Sequence, residues 1–310
     1  MLQKIFKIGT YLKYKYNVYT NRRRHLKKLK SLKNPIFIDG HPDSENFGDG
    51  LNVFLSEFLS GKNVFPSKFI KDTSYQNEIS YSVIGSICQW SREHSVVWGS
   101  GFIQASCIEG NFVKPEKVEA VRGPLSRNIY LANGIDCPEI YGDPALLLPL
   151  IYNVETGEPQ YEYGIIPHYT EMESDWVKEQ IKKKEVLFID IMIGSDYKKF
   201  VNQIKSCKRI VTSSLHGLIL SHAYHIPVSH IKLSDQLTGG DFKFNDYLLS
   251  VNKKQRSPYP INSKSIPIYS LEFDCKPIKI DIKALINSCP FIELEIKEKL
   301  LNKSFYYEGS

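Results

Sequence analysis

Two histidines and two aspartates stand where this chain could do acid–base chemistry: His168, His216, Asp49 and Asp143. His216 is the most telling. It lies in Arg209–Pro227, RIVTSSLHGLILSHAYHIP, which reads as a strand ending near Thr212, a two-serine turn, and a helix with His216 in its first turn. Ser213 or Ser214 is the expected N-cap, because a serine oxygen can accept from an unpaired N–H at a helix start. Those N–H groups and the helix dipole favour an anion at the same turn. A histidine there can bind that anion or move a proton, or can be a structural side chain of a buried turn. Arg122 at the start of another helix is electrostatically unfavourable without an anion nearby, which favours a functional role for it. Asp49 and Asp143 can equally be helix caps.

These residues need a frame, and the pattern around them is strand, turn, helix, repeated. Pro35–Asp39 reads as a buried strand, followed by Asn46-Phe47-Gly48-Asp49-Gly50 as a loop and a helix over Leu51–Leu59. Val96–Trp98 is a second strand, ending in Gly99-Ser100-Gly101, and Val118–Val121 a third. Pro124 fits a first helical position and Gly134 the stop. After a polar segment, Asn153–Tyr163, the order resumes: strand Tyr163–Pro167, helix Ser174–Lys184, strand Val186–Ile191, helix Asp196–Cys207, then the His216 unit and strand Val228–Ile231. Such alternation is the mark of parallel sheets, whose ligands bind beyond the strands' C-terminal ends. The polar residues collect at those ends. The expected fold is α/β, two Rossmann-like domains facing across a cleft. The divisions are an arm over 1–33, a first domain over 34–152, a second over 160–290, and a tail over 291–310 able to cross back.

The 310 residues are 42% hydrophobic and 12% aromatic, enough for two cores. The longest apolar run, Ala145–Tyr152, is interrupted by Pro149 and too short to span a membrane. Six cysteines show no paired spacing and read as reduced thiols of a cytoplasmic protein. The net charge of +6 conceals an asymmetry: residues 1–33 hold 11 Lys/Arg and no acid, while the rest holds 29 Lys/Arg against 34 Asp/Glu. With its tyrosines, the arm suits docking on an anionic membrane surface at the inner face. It suits equally a helix packed on the body. No nucleic-acid-binding pattern follows it. There is no P-loop, no G-x-G-x-x-G, no hydrolase serine elbow, and no zinc spacing among His222, His225 and His230, so neither cofactor nor metal is expected.

In order and spacing, several pieces together resemble the polysaccharide pyruvyl transferase family. They are Asn46-Phe47-Gly48-Asp49, Trp98–Gly101, Val121-Arg122-Gly123-Pro124, Tyr141-Gly142-Asp143-Pro144-Ala145, Ile166-Pro167-His168, Val211-Thr212-Ser213-Ser214-Leu215-His216-Gly217 and Phe242-Lys243-Phe244-Asn245-Asp246-Tyr247. The resemblance covers about residues 36–250. It implies a fold similar to GT-B glycosyltransferases and transfer of a carboxyethylidene group from phosphoenolpyruvate to a sugar. Some branches carry arginine where this chain has Ser214, which leaves Arg122, Lys243 or a helix terminus to take the donor's charge.

That reaction needs cationic and N–H groups for a phosphate and a carboxylate, an acid for the enol ether, and a base for sugar hydroxyls. The implied roles are His216 and His168 as acid–base groups, Asp49 and Asp143 as base or orienting groups, and Arg122, Ser213, Ser214, Gly217 and Lys243 at the donor. Asn46, Gly48 and Ser100 would lie on the acceptor side. The acceptor would be a sugar of a surface polysaccharide or its lipid-linked precursor. Two rivals stand beside this reading: a GT-B-type glycosyltransferase using a nucleotide sugar, and a non-catalytic membrane-docked subunit of a glycan-assembly complex.

Overall fold

A computed structural model describes residues 22–155, 157–235 and 237–308. It is an α/β structure with two parallel five-stranded sheets. The first sheet is built from β1 (Ile36–Ile38), β2 (Val64–Pro66), β3 (Ser80–Ser82), β4 (Ser95–Trp98) and β5 (Lys117–Ala120), in the order β2-β1-β3-β4-β5. The second contains β6 (Tyr161–Ile166), β7 (Val186–Phe188), β8 (Cys207–Thr212), β9 (Val228–Lys232) and β10 (Tyr259–Pro260), in the order β10-β9-β8-β6-β7. Both are Rossmann-like in their pairing, and every strand-to-strand pairing is parallel.

Two strands of the first sheet escape the sequence pattern. β2 and β3 have only three residues each, and β3 places Ser80 and Ser82 inside. Ser82 serves a carboxylate, while Ser80 Oγ faces Ser95 Oγ at 3.4 Å. Asp39, at the end of β1 and buried, accepts hydrogen bonds from Ser67, Ser82 (2.9 Å) and Ser95 (2.7 Å). A buried carboxylate is tolerable only with such donors.

Residues 22–29 form helix α1. Leu26, Leu29 and Leu32 pack against Phe37, Phe65 and Phe69, and His25 stacks on Phe69 with ring centroids 4.1 Å apart. Residues 22–32 of the basic arm therefore join the body; residues 1–21 lie outside the described residues. No helix among the described residues is long and apolar enough to cross a membrane.

Helix α2 (Phe47–Ser60) starts four residues earlier than the apolar period indicates, because Asn46 caps it: its side chain accepts from Gly48 N at 3.1 Å. Gly48 and Gly50 are thus helical. Their cost in helix propensity is offset by close approach. A Cβ on Gly50 would lie 2.5 Å from the Gly194 carbonyl carbon of the second half. Phe47 stacks on Phe200 and Phe54 on Tyr197, at 4.1 and 3.8 Å between centroids. Both partners lie on or beside helix α6 (Tyr197–Lys205). One hydrophobic cluster therefore runs through both halves. Helices α3 (Pro124–Ala132), α4 (Leu148–Ile151) and α5 (Asp175–Gln180) complete the layers before α6. The last helices, α9 (Ile282–Asn287) and α10 (Leu294–Asn302), return to the first half: Trp98 Nε1 donates to Leu285 O (3.0 Å), and Tyr307 Oη to Leu146 O (2.6 Å).

Candidate active site

The C-terminal ends of β6 and β8 are tied side by side. Thr212 Oγ1 donates to Ile166 O (2.7 Å) and accepts from Ser214 N (3.0 Å), while Ser213 Oγ accepts from His168 N (2.9 Å). Helix α7 (Leu215–Ala223) leaves this turn with Ser214 at the N-cap position but with no side chain capping its first turn. The expected serine cap is thus absent, since Ser213 holds His168 instead. Gly217 is required by contact, since a Cβ would lie 2.3 Å from Thr212 Oγ1.

His216 emerges from α7 between two partners. On one side is Gly48 of α2: a Cβ there would lie 2.0 Å from His216 Nδ1. On the other side is Asp143, whose Oδ2 is 3.8 Å from His216 Nε2. Asp143 Oδ1 caps the turn Pro144–Leu147 by accepting from Ala145 N at 3.0 Å. Asp143 Oδ2 and His216 Nε2 are both buried and have no hydrogen-bond partner. Each such orphan costs about 1–3 kcal/mol, and native structures seldom keep one without a use. Closing the gap to hydrogen-bond length needs a shift of about 1 Å.

The protonation of this pair follows from burial. Desolvation pushes the Asp143 carboxyl up to about 7, against opposing effects of the Ala145 hydrogen bond and the Arg122 charge. Burial, with the charges of Arg122 and Lys243, pushes His216 down to about 3. Near neutrality the imidazole is therefore neutral, and the Asp143 carboxyl is divided between its protonated and ionised forms. Lys243 sits near the start of helix α8 (Phe242–Ser250), and burial plus the Arg122 charge bring it down to about 8. Among the described residues no carboxylate pairs with its ammonium at ion-pair distance; its nitrogen lies 5.5 Å from the Phe244 ring centroid. Its charge also reaches His168, which burial first and Lys243 second push down to about 4. His168 Nδ1 is occupied by Thr170 Oγ1 at 2.8 Å.

Arg122, expected at the donor, is already engaged within the protein. It is fully buried, its Nε donates to Asp246 (3.0 Å), Nη1 to Ser86 Oγ (2.7 Å) and Nη2 to Phe102 O (2.7 Å). Its reach to the site is its field on His216, Asp143 and Lys243. Ser100 is also buried, donating to Gly85 O at 2.8 Å. Asn46 and Asp49 line a pocket of ≈ 390 Å³ with His41, Lys68 and Tyr169, and burial raises the Asp49 carboxyl. The pair Asp143–His216 with Lys243 is thus one cluster, His168 is tied to it through Ser213 and Lys243, and Asn46 and Asp49 open onto a separate pocket. Sequence reasoning assigned no role to Asp246; an acid amid the apolar residues of Phe242–Tyr247 was the available signal. His230 was passed over except as a metal ligand. It is buried against Phe244 (4.1 Å between centroids), with both ring nitrogens unpartnered. No group of three His, Cys, Asp or Glu among the described residues could hold a metal ion.

Comparison with known proteins meets this geometry. The family model of polysaccharide pyruvyl transferase matches residues 120–235, a range containing Arg122, Asp143, His168 and His216. The chain is 33% identical over 242 residues to uncharacterized protein L143 of Acanthamoeba polyphaga mimivirus, covering 74% of this chain and 79% of that protein. It is 25% identical over 205 residues to succinoglycan biosynthesis protein ExoV of Rhizobium meliloti (strain 1021), covering 65% of this chain and 60% of that one. No solved structure gives a significant match. With the family's model matched over the segment that holds these side chains, this chain belongs to the polysaccharide pyruvyl transferase family.

Proposed function

We propose that this chain transfers the carboxyethylidene group of phosphoenolpyruvate to two hydroxyls of a sugar, in a surface polysaccharide or its lipid-linked precursor. The two halves would face each other in the GT-B manner, with the donor held on the second. The observation that carries the reading is the unpartnered Asp143–His216 pair under the charge of Lys243.

The donor's phosphate and carboxylate would be met by Lys243 and the uncapped first turn of α7. Asp143 gives its proton to the donor's methylene carbon, leaving an oxocarbenium-like C2. A sugar hydroxyl adds to C2 while neutral His216 takes its proton. The second hydroxyl then displaces phosphate, and its proton passes to His168 or leaves with the phosphate. Ser213, Ser214 and Gly217 shape the donor turn, Asn46 and Asp49 belong to the acceptor side, Gly48 seats His216, and Ser100, its hydroxyl held by Gly85 O, takes no direct part. Arg122 acts by its field. No metal or cofactor is needed. With a lipid-linked acceptor, the basic residues of 1–21 would hold the protein on the inner membrane face.

Thermal denaturation with added donor tests this. Phosphoenolpyruvate, or an unreactive analogue, should stabilise the protein in the presence of a chelator, by about 2.7 kcal/mol at a hundredfold excess over Kd. Stabilisation by a nucleotide sugar and not by phosphoenolpyruvate would overturn the proposal in favour of a glycosyltransferase.

A further inference from the structure

The short turn Tyr169–Glu171 follows His168 directly and separates two pockets. Tyr169 lines the one shared with Asn46 and Asp49. The other, of ≈ 450 Å³, is lined by Glu171, Glu173, Asp175, Ser234 and Asn262, among others. It lies just past the C-terminal ends of β6, β9 and β10, three strands of one parallel sheet. That edge is where such sheets take ligands.

Glu171 is 4% exposed. Its Oε1 accepts from Ser234 Oγ at 2.6 Å, but its Oε2 is buried and has no partner. A buried carboxylate oxygen without a donor is costly, and a ligand hydroxyl would relieve the cost. The charge of the pocket narrows the class. Glu171, Glu173 and Asp175 share it with a single cation, Lys264, so the lining is net negative and a phosphate or carboxylate would meet mostly like charge. No set of three metal-ligating groups converges among the described residues. A neutral ligand rich in hydroxyls fits.

We propose that this pocket binds a sugar diol, with Glu171 Oε2 accepting a hydrogen bond from one ligand hydroxyl. The pocket adjoins the acid–base groups through three residues of chain, so a sugar seated here lies beside the site of transfer. On the pyruvyl-transfer reading it is a unit of the acceptor glycan; a ribose would present the same diol.

The test is ligand-observed NMR titration of the full chain with neutral disaccharides and, separately, with uncharged nucleosides. One or the other should bind, and Glu171→Gln should weaken that binding at least tenfold. Asn262→Leu, at an exposed position on the pocket rim, should weaken it as well without risk to the core. Binding of disaccharides alone identifies a glycan subsite, and binding of nucleosides alone a nucleotide subsite. Absence of binding by both classes, or binding unchanged in both variants, overturns the proposal. Stabilisation by phosphoenolpyruvate, measured on the same samples, reports separately on the transfer reading.

Discussion

Two of the buried acid–base pairs in this interior have opposite characters. Arg122 and Asp246 are 124 residues apart in sequence and both fully buried. Between them they engage Ser86, Phe102 O, and both the N–H and hydroxyl of Ser126. His216 and Asp143 are nearly as enclosed, yet their facing atoms make no hydrogen bond. A saturated pair of this kind is a strut: it fixes β5 against α8 and supplies a steady field. An unsaturated pair holds free energy in reserve, and that reserve is released only when a ligand or proton arrives. Burial alone therefore does not tell these two pairs apart; their hydrogen bonding does.

The strut is where substitution should do most harm. Asp246→Ala leaves the Arg122 charge buried alone, and about 3–5 kcal/mol of stability should be lost. Urea unfolding measures it, and replacing both partners with Met and Leu should recover much of the loss. An unchanged midpoint in Asp246→Ala would mean that the pair is not a strut. It follows that loss of transfer in Arg122→Ala is interpretable only where the variant is still folded.

Gly48→Ala strikes the other pair at less cost. Alanine favours a helix by up to about 1 kcal/mol, but its Cβ cannot coexist with the imidazole. Overpacking of this kind costs about 1–3 kcal/mol. The displaced His216 should lose its place beside Asp143, so transfer should fall far more than stability. A variant with normal turnover would show that the His216 position is not used.

Asp143→Asn should disturb the fold least, since asparagine can keep the cap on Ala145 N. The neutral Asp143 carboxyl contributes stability that is fully present below its ordinary value of 3.8 and lost as pH rises to about 7. The variant lacks that loss, so its stability relative to wild type should rise between pH 4 and pH 7.5. His216, pushed down by burial, has the reverse sense: its contribution is present above its ordinary value of 6.5 and lost as pH falls towards about 3. The same variant should transfer pyruvyl groups about 10²–10⁴-fold more slowly. Parallel unfolding curves at all pH values would remove Asp143 as the proton store.

The contrast also explains what the sequence could and could not reveal. Strands β6, β8 and β9 and helices α3 and α7 were legible because their apolar runs and turn residues agree. β3 was not, because its interior serines answer to distant partners: Ser82 to Asp39, 43 residues away, and Ser80 to Ser95 on the next strand. The start of α2 was misjudged because Gly48 and Gly50 look like loop residues until His216 and Gly194 are seen against them. Asp143 and His216 could be picked as separate candidates from their turns. That they face each other, unsatisfied, is a fact of tertiary packing. Glu171 carried no signal at all, since its isolation depends on β9 and β10.

The return of the C-terminal helices sets a constraint on synthesis. Trp98 and Leu146 belong to the first half, yet their buried partners are Leu285 O and the Tyr307 hydroxyl. A ribosome working at about 5–20 residues per second needs on the order of ten seconds or more to go from the end of the first half to Tyr307. For that interval the nascent first half is an incomplete object, with apolar surface open to chaperones and to neighbouring chains. A stop codon or protease cut before residue 285 should therefore yield aggregated protein rather than a soluble half.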